Sequence, residues 1–227
     1  MTTNNRILFA VVLAAASTLV PVRAHATVAQ AASFDEKVEK AESIVLGRCL
    51  KTESRMDPSG RWIVTYSTFK VDQSLKGQPA TEVTVVTPGG EVNGIHQDTI
   101  GVPAFHEGDQ NVIFTKNTKL GPTVLYFDQG AYEVKNGLVQ PVASDVVRMD
   151  TQRGVAVAPE EARSIRDFQR EVNTSVQRMT ANRMEMVRHR DSAQNSIGSV
   201  LSRNKLLVAI ALLGAALATW QLLRRSA

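Results

Sequence analysis

The residues able to do chemistry gather in one stretch. Pro88 to Asp109 holds His96 and His106, with Glu91, Asp98 and Glu107 beside them and Gly89, Gly90, Gly94, Gly101 and Gly108 between. Imidazole beside carboxylate can ligate a divalent metal or act as a general base. Sequence-local zinc ligands show tight spacing, as in H-x-x-x-H or C-x-x-C. The two histidines instead lie ten positions apart in a glycine-rich segment, so no metal and no other cofactor is expected. Asp72, Glu91 and Asp109 would work as paired carboxylates only if the fold brought them together. No G-x-S-x-G, H-E-x-x-H or Walker motif occurs. Pro88-Gly89-Gly90 precedes no helix, so it reads as a backbone bend rather than a phosphate cradle. The lone Cys49 alternates with Val45 and Gly47, as a buried strand residue does. No catalytic residue is assigned.

Gly89, Gly90, Glu91, His96 and His106 are the expected binding residues. A connection this long inside a compact domain is usually functional or disordered. The leading expectation is therefore a non-enzymatic interaction module whose 88–108 loop meets an envelope protein or a glycan. The alternatives are a metal-assisted hydrolase using His96 and His106 with Glu91, and a structural or sorting protein of the cell envelope.

Short β-type runs must position this loop. They are 44–50, 62–71, 82–87, 111–115, 123–127, 131–135 and 138–142. Asp57-Pro58-Ser59-Gly60 is a turn with Pro preset at its second position. Asn136-Gly137 is a strong hairpin signal, because both central residues need positive φ. A short helix, 34–42, precedes the strands, with Phe34, Val38 and Ala41 on one face. The expected fold is mainly β, a small antiparallel barrel.

Several motifs carry a resemblance. They are Thr65 to Val71 with Leu75-Lys76-Gly77, Pro88-Gly89-Gly90-Glu91, Pro103-Ala104-Phe105 with Gly108, and Gln129-Gly130-Ala131-Tyr132. Together they resemble small exported bacterial proteins of unassigned function, and netrin/TIMP-like barrels of the OB type. The resemblance covers residues 34–142 and implies an OB-type barrel. TIMP-type inhibitors act through an N-terminal cysteine and several disulfides. This chain has only Cys49, so that mechanism does not carry over.

The ends suggest export and anchoring. Residues 1–26 read as a signal peptide, with Arg6, an uncharged run from Ile7 to Val20, and Ala24-His25-Ala26 at the cleavage site. The β domain is expected over 27–144, a linker over 145–158 and a helical stalk over 159–204, opened by Pro159-Glu160-Glu161. An anchor is expected over 205–224, because residues 206–223 carry no charge. This organisation predicts a single-pass protein of the cell membrane with its β domain exported. Small residues in the span would permit a homodimer.

Charge follows the same division. Of 227 residues with net charge +4, the segment 27–144 holds 11 Lys and Arg against 14 Asp and Glu, whereas 145–227 holds 13 against 8. An acidic β domain without basic residues interleaved with aromatics excludes a nucleic-acid partner.

Overall fold

The computed structural model describes residues 27–78 and 80–203, together with 209–210, 212–215, 219–221 and 224. The expected signal peptide lies outside the described residues, as does much of the expected span 206–223.

The chain opens with β1 (Val28–Gln30) and helix α1 (Phe34–Lys40). Ser33 caps α1 by accepting the Glu36 amide at 3.1 Å, and Asp35 and Glu36 face the positive end of its dipole. Two strands of 14 residues each follow, β2 (Ser43–Met56) and β3 (Ile63–Lys76), paired antiparallel. Asp57 closes their connection. Its Oδ1 accepts the amides of Arg61 and Trp62, both at 3.0 Å, and its Oδ2 accepts the Ser59 hydroxyl at 2.7 Å. The hydroxyl bond first, then the amides, pull the Asp57 carboxyl down to about 2.

Next come β4 (Glu82–Pro88), the small hairpin β5 (Gly90–Val92) and β6 (Ile95–Gln97), then β7 (Gln110–Thr118) and β8 (Gly121–Val124). A 3-10 turn, Phe127–Gly130, leads into β9 (Ala131–Lys135) and β10 (Leu138–Pro141). Between those two, Asn136 and Gly137 take φ of 53° and 77°, the doubly positive turn their sequence demands. The segment expected as a linker carries β11 (Val147–Asp150) and β12 (Val155–Ala156). Strand β1 runs parallel to β11, which ties the N-terminal segment to it. The two-residue β13 (Arg163–Ser164) precedes helix α2 (Ile165–Arg203).

The main sheet has eight strands in the order β13-β10-β9-β7-β2-β3-β4, with β8 on β7. It is open, which corrects the expected OB/netrin-like barrel. Closure would need a ladder between β4 and β8. Those strands meet instead through a side-chain bond, from the Thr123 hydroxyl to the Val86 carbonyl at 2.7 Å. Strand β8 is four residues long, and its Pro122 has no amide proton to donate. The sheet grows the other way, through β9, β10 and β13.

Alternation along the strands builds a core on each face. Ile44, Leu46, Val112, Phe114, Tyr132 and Val139 meet Val38 of α1 and Phe168 and Val172 of α2. Val45, Cys49, Phe69, Val85, Ile113 and Val124 form the opposite core, with Phe105. Each such fully buried side chain contributes about 1.5–3 kcal/mol.

Helix α2 has 39 residues, roughly 58 Å at 1.5 Å per residue. Its first turns bury Phe168 and Val172 in the core between the sheet and α1, and Ser175 donates to Asp35 of α1 at 2.5 Å, whereas Met184, Met186 and Val187 are exposed. It starts at Ile165, not at Pro159 as expected, because residues 163–164 pair with β10 first. Among the described residues no helix is long and apolar enough to cross a membrane. Helix α2 carries charges on nearly every turn from Arg166 to Asp191. A stalk ending in a membrane anchor and single-pass localisation are therefore not supported.

Candidate functional site

A cleft of about 880 Å³ lies away from the 88–108 segment. Its walls are the segment before α1, the 3-10 turn, the end of β10, strand β11 and residues 157–163. They present small apolar side chains, among them Ala31, Ala32, Val142, Val147, Ala158 and Ala162. Such volumes are typical of small-molecule sites.

A chain of charges crosses the cleft. Lys37, on the inner face of α1, is buried and donates to the Tyr132 hydroxyl at 2.5 Å and to Glu160 Oε1. Tyr132 OH also lies 3.0 Å from Glu160 Oε2. Arg163 bonds Glu160 Oε2 at 2.5 Å and Glu171 Oε2, and its guanidinium stands over the rings of Phe34 and Phe168 at 5.0 and 5.4 Å. Burial pulls the Lys37 ammonium below its ordinary range, against the opposing attraction of Glu160. Burial, then the Glu160 carboxylate, push the Tyr132 phenol well above 10.0. Arg163 is held above its ordinary value: burial works against its charge, but Glu171 and Glu160 outweigh it.

A second ion pair stands at the far wall. Asp128 is buried, and its Oδ1 accepts from Arg148. Its Oδ2 is buried without a partner among the described residues. The backbone that delivers Asp128 is strained: Tyr126 and Phe127 take φ of 54° and 57°, a region costing non-glycine residues roughly 1–2 kcal/mol each. Gly130 completes the turn, since a Cβ there would sit 2.1 Å from the Leu125 carbonyl oxygen. Strain of this kind concentrates at functional sites.

The expected site residues lie elsewhere. Gly89, Gly90 and His96 line a second cavity of about 240 Å³; His106 and Glu91 do not. His96 bonds Asp98 at 2.8 Å, and His106 bonds Asp109 at 3.3 Å on a separate turn. Glu91 sits opposite His96 in the β5–β6 hairpin. Asp72 accepts from Gln110 at 2.9 Å. Among the described residues no group of three or more His, Cys, Asp and Glu side chains is placed to hold a metal ion. Cys49 is buried, and burial, with Asp109 and Glu107 nearby, pushes its thiol up.

The cleft residues left one trace in the sequence. Lys37 falls three positions after Phe34, on the helix stripe that also holds Val38 and Ala41, where a charge needs a buried partner. Nothing local marks Glu160 as that partner, 123 positions away. Comparison with protein-family models, with curated proteins and with solved structures finds no match.

Proposed function

We propose that this chain is a binding module whose ligand occupies the 880 Å³ cleft beside Lys37, Tyr132 and Glu160. The observation that carries the reading is the meeting of small apolar walls with a buried polar floor. The walls suit the body of an organic molecule; the floor fixes its orientation. The charges of the floor are engaged with one another, as Lys37 is with Glu160 and Arg148 with Asp128. A pre-paired floor favours recognition over proton transfer, because moving a proton would break a buried ion pair. The ligand is a compact amphiphile, with an apolar body and one polar end.

The probe for this reading is 1-anilinonaphthalene-8-sulfonate, which has an apolar ring system and one anionic group. The folded chain should bind it with a blue-shifted emission. Ala32→Trp, which fills the cleft, should abolish the signal while near-UV circular dichroism stays native. Emission unchanged by that substitution would place the probe elsewhere and remove the support for the cleft.

A further inference from the structure

The second cavity has a different chemistry. On the inner face of β2, β3 and β4 the apolar core formed by Cys49, Phe69 and Val85 gives way to hydroxyls. Thr52 pairs across the ladder with Ser67, Ser54 with Thr65, and Thr65 with Thr87. Side chains two apart on a strand share a face, so these groups form a continuous polar row. The segment after β4 lies over them and encloses about 240 Å³.

Part of this row is used within the protein. The Thr65 hydroxyl donates to the Gly89 carbonyl at 2.7 Å and meets Ser54 at 2.8 Å. Gly90 seats the covering segment: its φ is 127°, and a Cβ there would lie 2.3 Å from Ser54 Oγ. The rest is not used. Ser67 is 1% exposed, and its Oγ has no partner among the described residues. Among the described residues the hydroxyls of Thr52, Thr87 and Thr99, which also line the cavity, make no side-chain hydrogen bond either. A buried hydroxyl without a partner costs about 1–3 kcal/mol.

The charge of the lining narrows the ligand. Among the described residues no lysine or arginine lines the cavity, so none of them neutralises an anion there. The ionisable groups at the mouth are His96 and Asp98, bonded to each other. Hydroxyls both donate and accept, which matches a ligand whose own groups do the same. Phe105, packed edge-on to Phe69 with centroids 5.1 Å apart, adds an apolar wall.

We infer that this cavity is a second binding site, for a neutral polyhydroxylated ligand of monosaccharide size, held by the hydroxyls of Thr52, Ser67 and Thr87. The site is separate from the cleft and stands whether or not the cleft reading holds. Saturation-transfer NMR on the full chain tests it, with D-glucose and D-galactose as probes and acetate as the charged control. At least one sugar should give ring-proton signals that acetate does not displace. Ser67→Ala and Thr87→Val should each weaken its apparent affinity about tenfold, the value of one hydrogen bond. Thr87→Ser, which keeps the hydroxyl, should restore it, and Ala32→Trp in the cleft should leave it unchanged. Thermal melts check that each variant is folded, and Thr52→Val replaces any that is not. Absence of signal from both sugars, meaning a cavity that holds water only, would overturn the proposal. Signals that survive both Ser67→Ala and Thr87→Val would do the same.

Discussion

Glu160 is the hinge of the buried charge chain, and its removal gives the sharpest test of how the cleft is held. Its carboxylate serves Lys37, Tyr132 and Arg163 at once. Lys37 has a side-chain exposure of 3%, against 30% for Glu160. Glu160→Gln leaves the lysine charge inside without its counter-ion. Breaking a buried pair in this way costs about 3–5 kcal/mol, and the partial exposure of Glu160 puts the expected loss near the lower end, ~3 kcal/mol. Lys37→Met removes the buried charge with little change in volume and leaves Glu160 paired to Arg163. Its expected cost is below ~1 kcal/mol, since replacing a buried charge by a well-packed apolar group is often neutral. Both substitutions delete the Lys37–Glu160 pair; Glu160→Gln also removes the Arg163 ion pair, and Lys37→Met also removes the bond to Tyr132, so a simple count of lost contacts predicts similar effects. Urea unfolding separates the two accounts: with a slope of about 2 kcal/mol per molar, Glu160→Gln should lower the midpoint by about 1.5 M. Equal midpoints for the two variants, or a loss under ~1 kcal/mol in Glu160→Gln, would refute the desolvation argument.

Other outcomes follow from the same structure. Tyr132 is held neutral above its unfolded value of 10.0, so its contribution is complete below pH 10 and is lost as pH rises through the folded value. Urea unfolding in alkali should show that loss in the native chain and less of it in Tyr132→Phe. Lys37 has the opposite sign: its lowered value makes stability rise with pH up to 10.5, and Lys37→Met should flatten that rise. The Asp57 carboxyl should titrate near 2 by NMR, and a midpoint at the ordinary 3.8 would contradict its turn hydrogen bonds. Cys49 should resist Ellman's reagent in the folded chain and react fully in denaturant; fast labelling of the native protein would contradict its burial. Gly90→Ala should cost about 2 kcal/mol or more in thermal melts, because it combines a positive φ with a clash against Ser54 and Thr65.

The strands were legible because alternation and turn chemistry are local. Ile44 to Leu46 and Val112 to Phe114 alternate between two faces, and the structure gives each face its own core. The hairpin at Asn136-Gly137 and the turn at Asp57 depend on neighbouring residues alone. Sheet closure is not local. Whether β4 meets β8 through a ladder depends on amide protons, and Pro122 is visible in the sequence only once its neighbour is known. The hydroxyl row was partly legible: Thr52 and Ser54, and Thr65 and Ser67, are two apart on their strands. Their meeting across the ladder, and the cover over them, required the register.

The cleft lies at the other extreme. Lys37, Tyr132 and Glu160 come from α1, β9 and the approach to β13, and chain separations of 95 and 123 positions divide the lysine from its partners. By itself the sequence determined a mainly β chain with a long, glycine-rich segment, because backbone preference and side-chain period act over a few residues. Only the tertiary structure decided that the sheet stays open, that the segment read as a linker is pinned as β11 and β12, and that a buried lysine finds its carboxylate. Burial and charge pairing act through space, and their strength depends on how much water the assembled fold excludes.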